Sequence, residues 1–322
     1  MAMLSRVAEH LYWLARYLER AENTARLVNV NGSLILDLPK HARPGWASLI
    51  SITGADDTFY RLYPGGAAEG HVVKFMLADD ENPGSILSSI KSARENARTI
   101  RDIIPREAWE QINELHLKAR ENLASGLSPK WRHAFLSEVI LSVQMISGIL
   151  NGGMSHDAGY EFMSIGCNLE RADMTTRIID VRSLNLSQKD KAEALKPFEN
   201  ILWMSVLKSL TAWQMYRRHM QASVSRDAVL KFLFQDKQVP RAFRFCLDKV
   251  ENCLERLPRS GDVLLALSPL KEQIEAANPE SLGQNELMEY IDELQIELGD
   301  IHVAIGKTYF GDVEEQSQSQ SQ

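Results

Sequence analysis

Two stretches of the chain decide its fold: LERAENTARLVNV at residues 18–30 and LERADMTTRIIDV at residues 169–181. They are identical at seven of thirteen positions, at a constant offset of 151 residues. Each contains Glu-Arg, then a second acid and a second Arg in the same order. In both stretches apolar residues return every three to four residues, which is typical of an amphipathic α-helix. The pattern therefore predicts two related helices.

A second register extends the repeat beyond these helices. At an offset of 157 residues, the matched pairs are Trp46/Trp203, Ser48/Ser205, Arg61/Arg218, Lys74/Lys231, Phe75/Phe232, Asp79/Asp236 and Pro83/Pro240. The increase in offset predicts extra linker residues in the second copy, near residues 183–191. Repeated units of about 150 residues are far longer than those of helical solenoids, so the pattern indicates one duplication.

The same helical periodicity runs through nearly the whole chain, and no sustained period-2 alternation predicts a strand. We therefore predict an all-α fold, a duplicated multi-helix bundle with two pseudo-twofold related halves. The predicted parts are a first helical repeat at 1–150, a second at 151–313 and a disordered polar tail at 314–322. Loops are predicted at residues 37–45, 64–70, 126–129, 151–159, 183–189, 258–262 and 278–283.

Composition narrows the class of protein. The 322 residues carry a net charge of -7, with 44% hydrophobic and 25% charged residues, as in an ordinary soluble globular protein. Lys and Arg are scattered, so nucleic acid is not an expected partner. The most apolar window, 139–150, contains Ser and Gln, so no membrane span is predicted. The charged N-terminal helix does not resemble a signal peptide, and the chain is expected to be cytoplasmic.

Helical geometry gives the first ER stretch a polar sector on one face. A turn of about 100° per residue, counted from Leu18 in the apolar stripe, places Glu22 about 40° away, Arg26 about 80° and Glu19 about 100°. Glu22 therefore lies on the apolar face. Arg20 is predicted to point to the far side, about 160° from the core, so that the Glu and Arg of the ER pair have different partners.

The second stretch repeats this sector with Glu170, Asp173 and Arg177, and leaves Arg171 outside it. Acids at a core margin need partners, because a buried, unpaired carboxylate is costly. One interpretation is a salt-bridge network between helices that fixes how the two halves pack. The alternative is a shared cleft, where four acids and two arginines surround a polar pocket for an amine, a carboxylate or a metal ion.

Other candidate sites carry weaker signals. The segments KFMLADDENP (74–83) and KFLFQDKQVP (231–240) predict helix starts with Pro in the first turn, where free N–H groups can bind an anion beside Arg241. Together with Arg20 and Arg171, Arg241 is a candidate binding residue. Cys167, Cys246 and Cys253 are expected to be reduced, packed thiols. Nucleotide-binding, zinc-protease and serine-hydrolase motifs are absent from the sequence, and no cofactor or metal is predicted.

Four segments resemble the bacterial alpha-E family, a helical domain named for its ER motif and often described as a tandem duplication. They are MLSRVAEHLYWLARYLERAENTARLV (3–28), ENARTIRDIIPREAWEQIN (95–113), FMSIGCNLERADMTTRIID (162–180) and LQIELGDIHVAIGKTYF (294–310). The likeness covers nearly the whole chain except the final tail. Both ER motifs are intact, although Asp173 stands where the first copy has Glu.

The resemblance implies which genes are expected beside the gene for this chain. Alpha-E proteins are usually encoded beside circularly permuted ATP-grasp proteins and transglutaminase-like cysteine peptidases, sometimes with NTN-hydrolase peptidases, which implies a peptide synthesis or modification system. We therefore expect an accessory or binding partner of an ATP-grasp amide ligase, with a transglutaminase-like protein and a peptide ligand as further candidate partners.

The alternative is an enzyme acting on a peptide or aminoacyl intermediate. Its candidate catalytic residues are Glu19, Glu22, Arg26, Glu170, Asp173 and Arg177. Glu22 is the best candidate for a general acid or base, because it lies on the apolar face. A third hypothesis is a purely structural scaffold.

Overall fold

The structure is a computed structural model that describes residues 5–39, 43, 45–187, 196–221 and 223–311. These residues form helices joined by turns and short loops, with no strand among them, so the predicted all-α fold is confirmed. Buried apolar residues of both predicted halves form one continuous core that extends from Ala8 to Tyr309. The duplication and the boundary at residue 150 stay predictions. The predicted tail at 314–322 lies outside the described residues.

The helices follow one another in chain order. They are α1 (Ser5–Asp37), α2 (Ala47–Thr53), α3 (Asp56–Leu62), α4 (Glu69–Leu77), α5 (Ile86–Thr99), α6 (Arg106–Glu121), α7 (Leu123–Leu127), α8 (Arg132–Gly153), α9 (Ala158–Ser187), α10 (Glu199–Ser209), α11 (Trp213–Met220), α12 (Arg226–Gln235), α13 (Phe243–Leu254), α14 (Gly261–Ala276) and α15 (Gln284–Ile305). A π-helical turn, Gly306–Phe310, extends α15.

Helix α1 is central to the fold, with α5, α8 and α9 packed against it. Its predicted apolar stripe is confirmed, since Leu11, Leu14, Leu18, Ala21 and Ala25 are all buried. The helix also buries polar residues, including both acids of the first ER stretch. A helix covered on several sides buries more than its apolar stripe.

Helix α9, which carries the second ER stretch, approaches α1 very closely at Gly166. A Cβ atom added there would lie 2.3 Å from the carbonyl oxygen of Tyr12, a distance that real side chains do not tolerate. The absence of a side chain at Gly166 therefore lets the two helix backbones meet. This contact brings residues 18–30 and 169–181 to one interface.

Several predicted loops are shorter than expected, including the one at 151–159, where helices cover residues 151–153 and 158–159. Helix α9 continues to Ser187, into the loop predicted at 183–189, and α7 reaches Leu127 inside the loop predicted at 126–129. Extending a formed helix adds one hydrogen bond for each residue ordered, so polar residues at its end do not suffice to stop it. The extra linker residues predicted near 183–191 lie partly outside the described residues, at 188–191.

Helix α8 is more apolar than the prediction of no membrane span assumed. It is long and apolar enough to cross a bilayer, with a mean hydropathy of 1.5 over its best window, because the Ser and Gln residues do not offset its aliphatic ones. Val139, Val143 and Ile146 are buried, whereas Leu141 is 64% exposed and Met145 46% exposed. A core helix can pass the same length and hydropathy test, so this single helix among the described residues is weak evidence for a span. The cytoplasmic location stays a prediction.

Candidate functional site

The two ER pairs contact each other across the interface between α1 and α9. Nε of Arg20 donates to Oε1 of Glu170 at 2.6 Å, and its Nη2 donates to Oε2 at 2.9 Å. In the other direction, Nε of Arg171 donates to Oε2 of Glu19 at 3.0 Å. Each ER pair thus supplies the Arg of one ion pair and the Glu of the other. This reciprocal pattern is what a pseudo-twofold relation predicts.

Arg20 and Glu19 have different partners, as predicted, and the side of α1 opposite the apolar stripe is covered by the fold. The guanidinium of Arg20 does not point away from the fold but reaches Glu170 and lies over the ring of Tyr17, 5.6 Å from the ring centroid. Several helices surround α1, so a side chain opposite the apolar stripe also meets a neighbouring helix. Arg171, predicted to lie outside the sector, also contacts the opposite helix, through Glu19.

Glu19 is paired with arginines from two other parts of the chain. Its carboxylate accepts from Arg171 and from Nη1 of Arg241, and Sγ of Cys167 donates to it at 3.4 Å. Burial by itself would raise the pKa of Glu19, but Arg171 and Arg241 outweigh that effect and lower it to about 2. Glu19 is therefore ionised at neutral pH. It does not pair with Arg26, although the two share a helix.

Glu22 lies at the apolar face, as predicted, and has several partners there. Its Oε1 accepts from Nε of Arg26 at 2.8 Å and from Nη2 at 2.6 Å. Gln144 of α8 donates to the same oxygen at 3.3 Å, and Nη2 of Arg241 lies 3.6 Å away. The carboxylate is thus held by groups from three segments. Its burial is explained by these partners and does not require a ligand.

Glu170 leads to a chain of hydrogen bonds that the sequence did not predict. Arg16 donates from Nε to Glu170 at 2.7 Å and from Nη1 to the hydroxyl of Tyr12 at 3.1 Å. The Tyr12 hydroxyl lies 2.8 Å from Nδ1 of His302 on α15. Burial and the positive charge of Arg16 lower the pKa of His302 to about 4, so its ring is neutral at pH 7.

The second ER stretch contains an ion pair between an acid and an Arg four residues apart, as the first stretch does. Nε of Arg177 donates to both oxygens of Asp173 at 2.9 Å. The spacing of four residues predicted this pair, as it did the pair of Glu22 and Arg26. Asp173 is 20% exposed and Arg177 31% exposed, so this pair is more open to solvent than its counterpart on α1.

Arg241 does not lie beside a free helix N-terminus. Its guanidinium is directed to Glu19 and to Oδ1 of Asn23, 3.1 Å away, while its carbonyl accepts from Thr175. Helix α13 begins only at Phe243, so Pro240 precedes its first turn rather than lying in it. Likewise, α5 begins at Ile86, after Pro83. Arg241 is therefore not available to the predicted anion site, because its guanidinium pairs with Glu19 and Asn23 of α1.

The cysteines and metal-binding residue types add no further centre. Cys246 and Cys253 are buried and Cys167 is partly buried, and all three are free thiols. Burial raises the pKa of each thiol to about 12. Within the described ranges, no three His, Cys, Asp or Glu side chains lie close enough together to hold a metal ion.

Among the described residues, the two ER stretches therefore meet in one ion-pair cluster between α1 and α9, with its acids buried, and are not sealed in separate bundles. Glu19 and Glu22 are 3% exposed and Glu170 is 2% exposed. A cavity of about 320 Å³ lies elsewhere, lined by Gln235, Lys237, Arg244, Ile274 and Glu275. Buried carboxylates bound by arginines suit a structural role, because a general base needs an available site for a proton.

Comparison with known proteins identifies relatives that match most of this chain. The chain is 25% identical over 273 residues to the uncharacterized protein Mb2597 of Mycobacterium bovis and to the uncharacterized protein MT2643 of Mycobacterium tuberculosis. The match covers 80% of this chain but only 30% of each relative, so the chain spans about 30% of their length. No solved structure matches. Residues 3–310 match the Alpha-E model, described as a predicted alpha-helical domain with a conserved ER motif, and the chain therefore belongs to the Alpha-E family.

Proposed function

We propose that this chain is a non-catalytic helical component of a cytoplasmic bacterial peptide synthesis or modification system, where it acts as an accessory or binding partner of an ATP-grasp amide ligase. One observation carries the non-catalytic part of the proposal. The four acids of the predicted polar sectors, Glu19, Glu22, Glu170 and Asp173, each accept a hydrogen bond from an arginine, so all four candidate catalytic acids are engaged in ion pairs. Two of these pairs, Arg20 with Glu170 and Arg171 with Glu19, join α1 to α9.

The protonation of the buried acids supports this assignment. The pKa of Glu19 is about 2, and Arg20 and Arg16 lower the pKa of Glu170 against the opposing effect of burial. General acid–base catalysis at neutral pH is most efficient when the pKa of the group lies near 7. Glu19 and Glu170 are shifted in the opposite direction. Strong, permanent ionisation favours ion pairing over proton transfer.

The length of the relatives supports a partnership. In Mb2597 and MT2643 the matched region is 30% of a longer polypeptide, so these proteins join a region similar to this chain to further sequence. Regions joined in one polypeptide commonly work side by side, because the link gives each a high effective concentration near the other. In our proposal a separate ligase takes that position beside this chain, and a peptide ligand or a transglutaminase-like protein is a further partner.

The partnership is tested with the ATP-grasp protein encoded beside the gene for this chain. The two proteins are co-expressed with a tag on one, and amide formation and ATP hydrolysis are measured with and without this chain. We expect a complex that survives size-exclusion chromatography and at least about a tenfold change in the rate of amide formation. Absence of a complex together with an unchanged rate would overturn the proposal.

The alternative function, an enzyme acting on a peptide or aminoacyl intermediate, is favoured by one feature. Asp173 is more exposed than Glu19, Glu22 and Glu170 and lies beside the partly exposed Arg177. Asp173→Asn removes a carboxylate charge at a partly exposed position, and Glu22→Gln removes one at a buried position. Catalysis by the open pair predicts loss of product with Asp173→Asn alone, whereas the accessory role predicts that both folded variants support the ligase.

A further inference from the structure

One face of α1 presents two aromatic and two guanidinium side chains beside the ion-pair cluster. Trp13, Arg16, Tyr17 and Arg20 occur at the three- and four-residue spacings that place side chains on one face, and all four are partly exposed. The rings of Trp13 and Tyr17 stack with centroids 5.4 Å apart. Arg16 lies over Trp13 at 5.1 Å and Arg20 over Tyr17 at 5.6 Å. We call these four residues the α1 aromatic face.

The charges at this face do not balance within the described residues. Arg16 and Arg20 share a single carboxylate, that of Glu170. The other nearby acid, Asp173, is already paired with Arg177. One positive charge of the Arg16 and Arg20 pair is therefore left without an acidic partner. Charges that are largely removed from water are stabilised by a counter-ion, so the face has a place for one negative charge.

Both guanidinium groups also keep N–H donors for such an anion. Arg16 uses Nε and Nη1, and Arg20 uses Nε and Nη2, for the contacts described above. Nη2 of Arg16 and Nη1 of Arg20 donate no hydrogen bond to any part of the chain that the structure describes. The side chains are 12% and 22% exposed, so these donors are not sealed off. Guanidinium N–H groups bind carboxylates in strong, directional hydrogen bonds.

His302 adds a neutral donor at the edge of the same face. Its ring meets Trp13 edge to face, with centroids 5.4 Å apart. Because Arg16 donates to the Tyr12 hydroxyl, the hydroxyl proton is directed to Nδ1 of His302, which assigns the remaining ring proton to Nε2. A neutral imidazole donates a hydrogen bond from Nε2 without adding to the positive charge.

We propose that the α1 aromatic face, together with His302, binds a carboxylate carried by an aromatic or apolar group, such as the C-terminal residue of a peptide. Arg16 and Arg20 hold the carboxylate of the ligand, whose negative charge balances their unpaired positive charge. Trp13 and Tyr17 pack against the apolar group, because aromatic rings offer a large, rigid contact area. The isolated chain should bind this ligand without the ligase. A failure of this proposal is therefore distinguishable from a failure of the proposed partnership.

The probe is N-acetyl-phenylalanine, titrated into the isolated full-length chain by calorimetry. N-acetyl-phenylalaninamide has the same ring and no charge, and inorganic phosphate has charge and no ring. We expect saturable binding of the acid. The amide should bind at least about tenfold more weakly because it lacks the charge-assisted hydrogen bond, and phosphate at least about tenfold more weakly because it lacks the contact with the aromatic rings. Absence of saturable binding, equal binding of the amide, or tighter binding of phosphate would each overturn the proposal.

Arg20→Gln and Arg26→Gln form a matched pair of variants. Each removes one guanidinium from a buried Glu that keeps a second arginine, Arg16 for Glu170 and Arg241 for Glu22. We expect Arg20→Gln to weaken binding of the acid at least about tenfold and Arg26→Gln to leave it unchanged. If Arg20→Gln does not fold, the partly exposed Tyr17 replaces it in the test. Tyr17→Leu should then weaken binding several-fold, and unchanged binding in this variant contradicts the site.

Discussion

Arg20 and Glu170 are 150 residues apart in the chain, yet two hydrogen bonds of 2.6 and 2.9 Å join their side chains. The corresponding residues of the other ER pair, Arg171 and Glu19, meet at 3.0 Å. A repeated motif whose two copies bind each other has a direct structural reason to occur twice. The ER residues hold α1 against α9, and that role accounts for both the Glu and the Arg of the motif.

The first prediction concerns the loss of a buried acid. Glu170→Gln removes the only carboxylate that Arg16 and Arg20 contact among the described residues, and we expect destabilisation of about 3 kcal/mol or more. Glu81→Gln is the control, because Glu81 pairs with Arg61 at the surface, where an ion pair contributes less than about 1 kcal/mol. Urea unfolding of both variants measures the difference. Similar stabilities would show that the cluster does not hold the fold.

A second prediction tests the close approach of the helices. Gly166→Ala places a methyl group against the backbone of Tyr12, so α1 and α9 must separate, at a cost of about 1–3 kcal/mol. Gly148→Ala on α8 meets no atom within 4 Å and should be neutral or stabilising by up to about 1 kcal/mol. Thermal melts of the two variants should therefore shift in opposite directions. A neutral Gly166→Ala would contradict the tight interface.

Acid sensitivity follows from the pKa of Glu19, which is lowered from 4.5 to about 2 in the folded chain. A lowered carboxyl pKa stabilises the fold fully above about pH 4.5, and this stabilisation is lost as the pH falls towards 2. The contribution is about 3 kcal/mol at neutral pH. Glu19→Gln should therefore be less stable than the parent chain at pH 7, with the gap narrowing below pH 4.5. A gap that is constant with pH would refute this assignment.

The ionisation of His302 can be followed directly by NMR. Burial and the charge of Arg16 lower its pKa from 6.5 to about 4, so its ring signals should not shift between pH 7 and pH 5. Arg16→Gln removes one of these causes and should raise the pKa of His302. N-acetyl-phenylalanine bound at the α1 aromatic face should raise it as well, since a carboxylate favours the protonated ring. A pKa of His302 near 6.5 in the parent chain would contradict its burial beside Arg16.

Local spacing predicted part of the site. The pairs of Glu22 with Arg26 and of Asp173 with Arg177 lie four residues apart on one helix, so a helical wheel finds them. The buried position of Glu22 followed from its place beside the apolar stripe. These contacts depend only on the geometry of a single helix, and the apolar periodicity predicts which face the fold covers.

The remaining contacts depend on which helix covers which face. Arg20 lies opposite the apolar stripe by angle, and only the packing of α9 brings Glu170 to it. Arg241 and His302 reach the cluster from segments far along the chain, so no spacing rule links them to α1. Arg16 carried a usable signal, because it lies four residues before Arg20 and on the same face.

The central claim is that the ER motifs bind each other and thereby fix α1 against α9. A double-mutant cycle tests it most directly, with the unfolding free energies of the parent chain, Arg20→Gln, Glu170→Gln and the double variant measured at pH 7. We predict a coupling of about 1.5 kcal/mol or more between Arg20 and Glu170, as expected for a hydrogen-bonded, largely buried ion pair. A coupling within about 0.3 kcal/mol of zero would contradict the account.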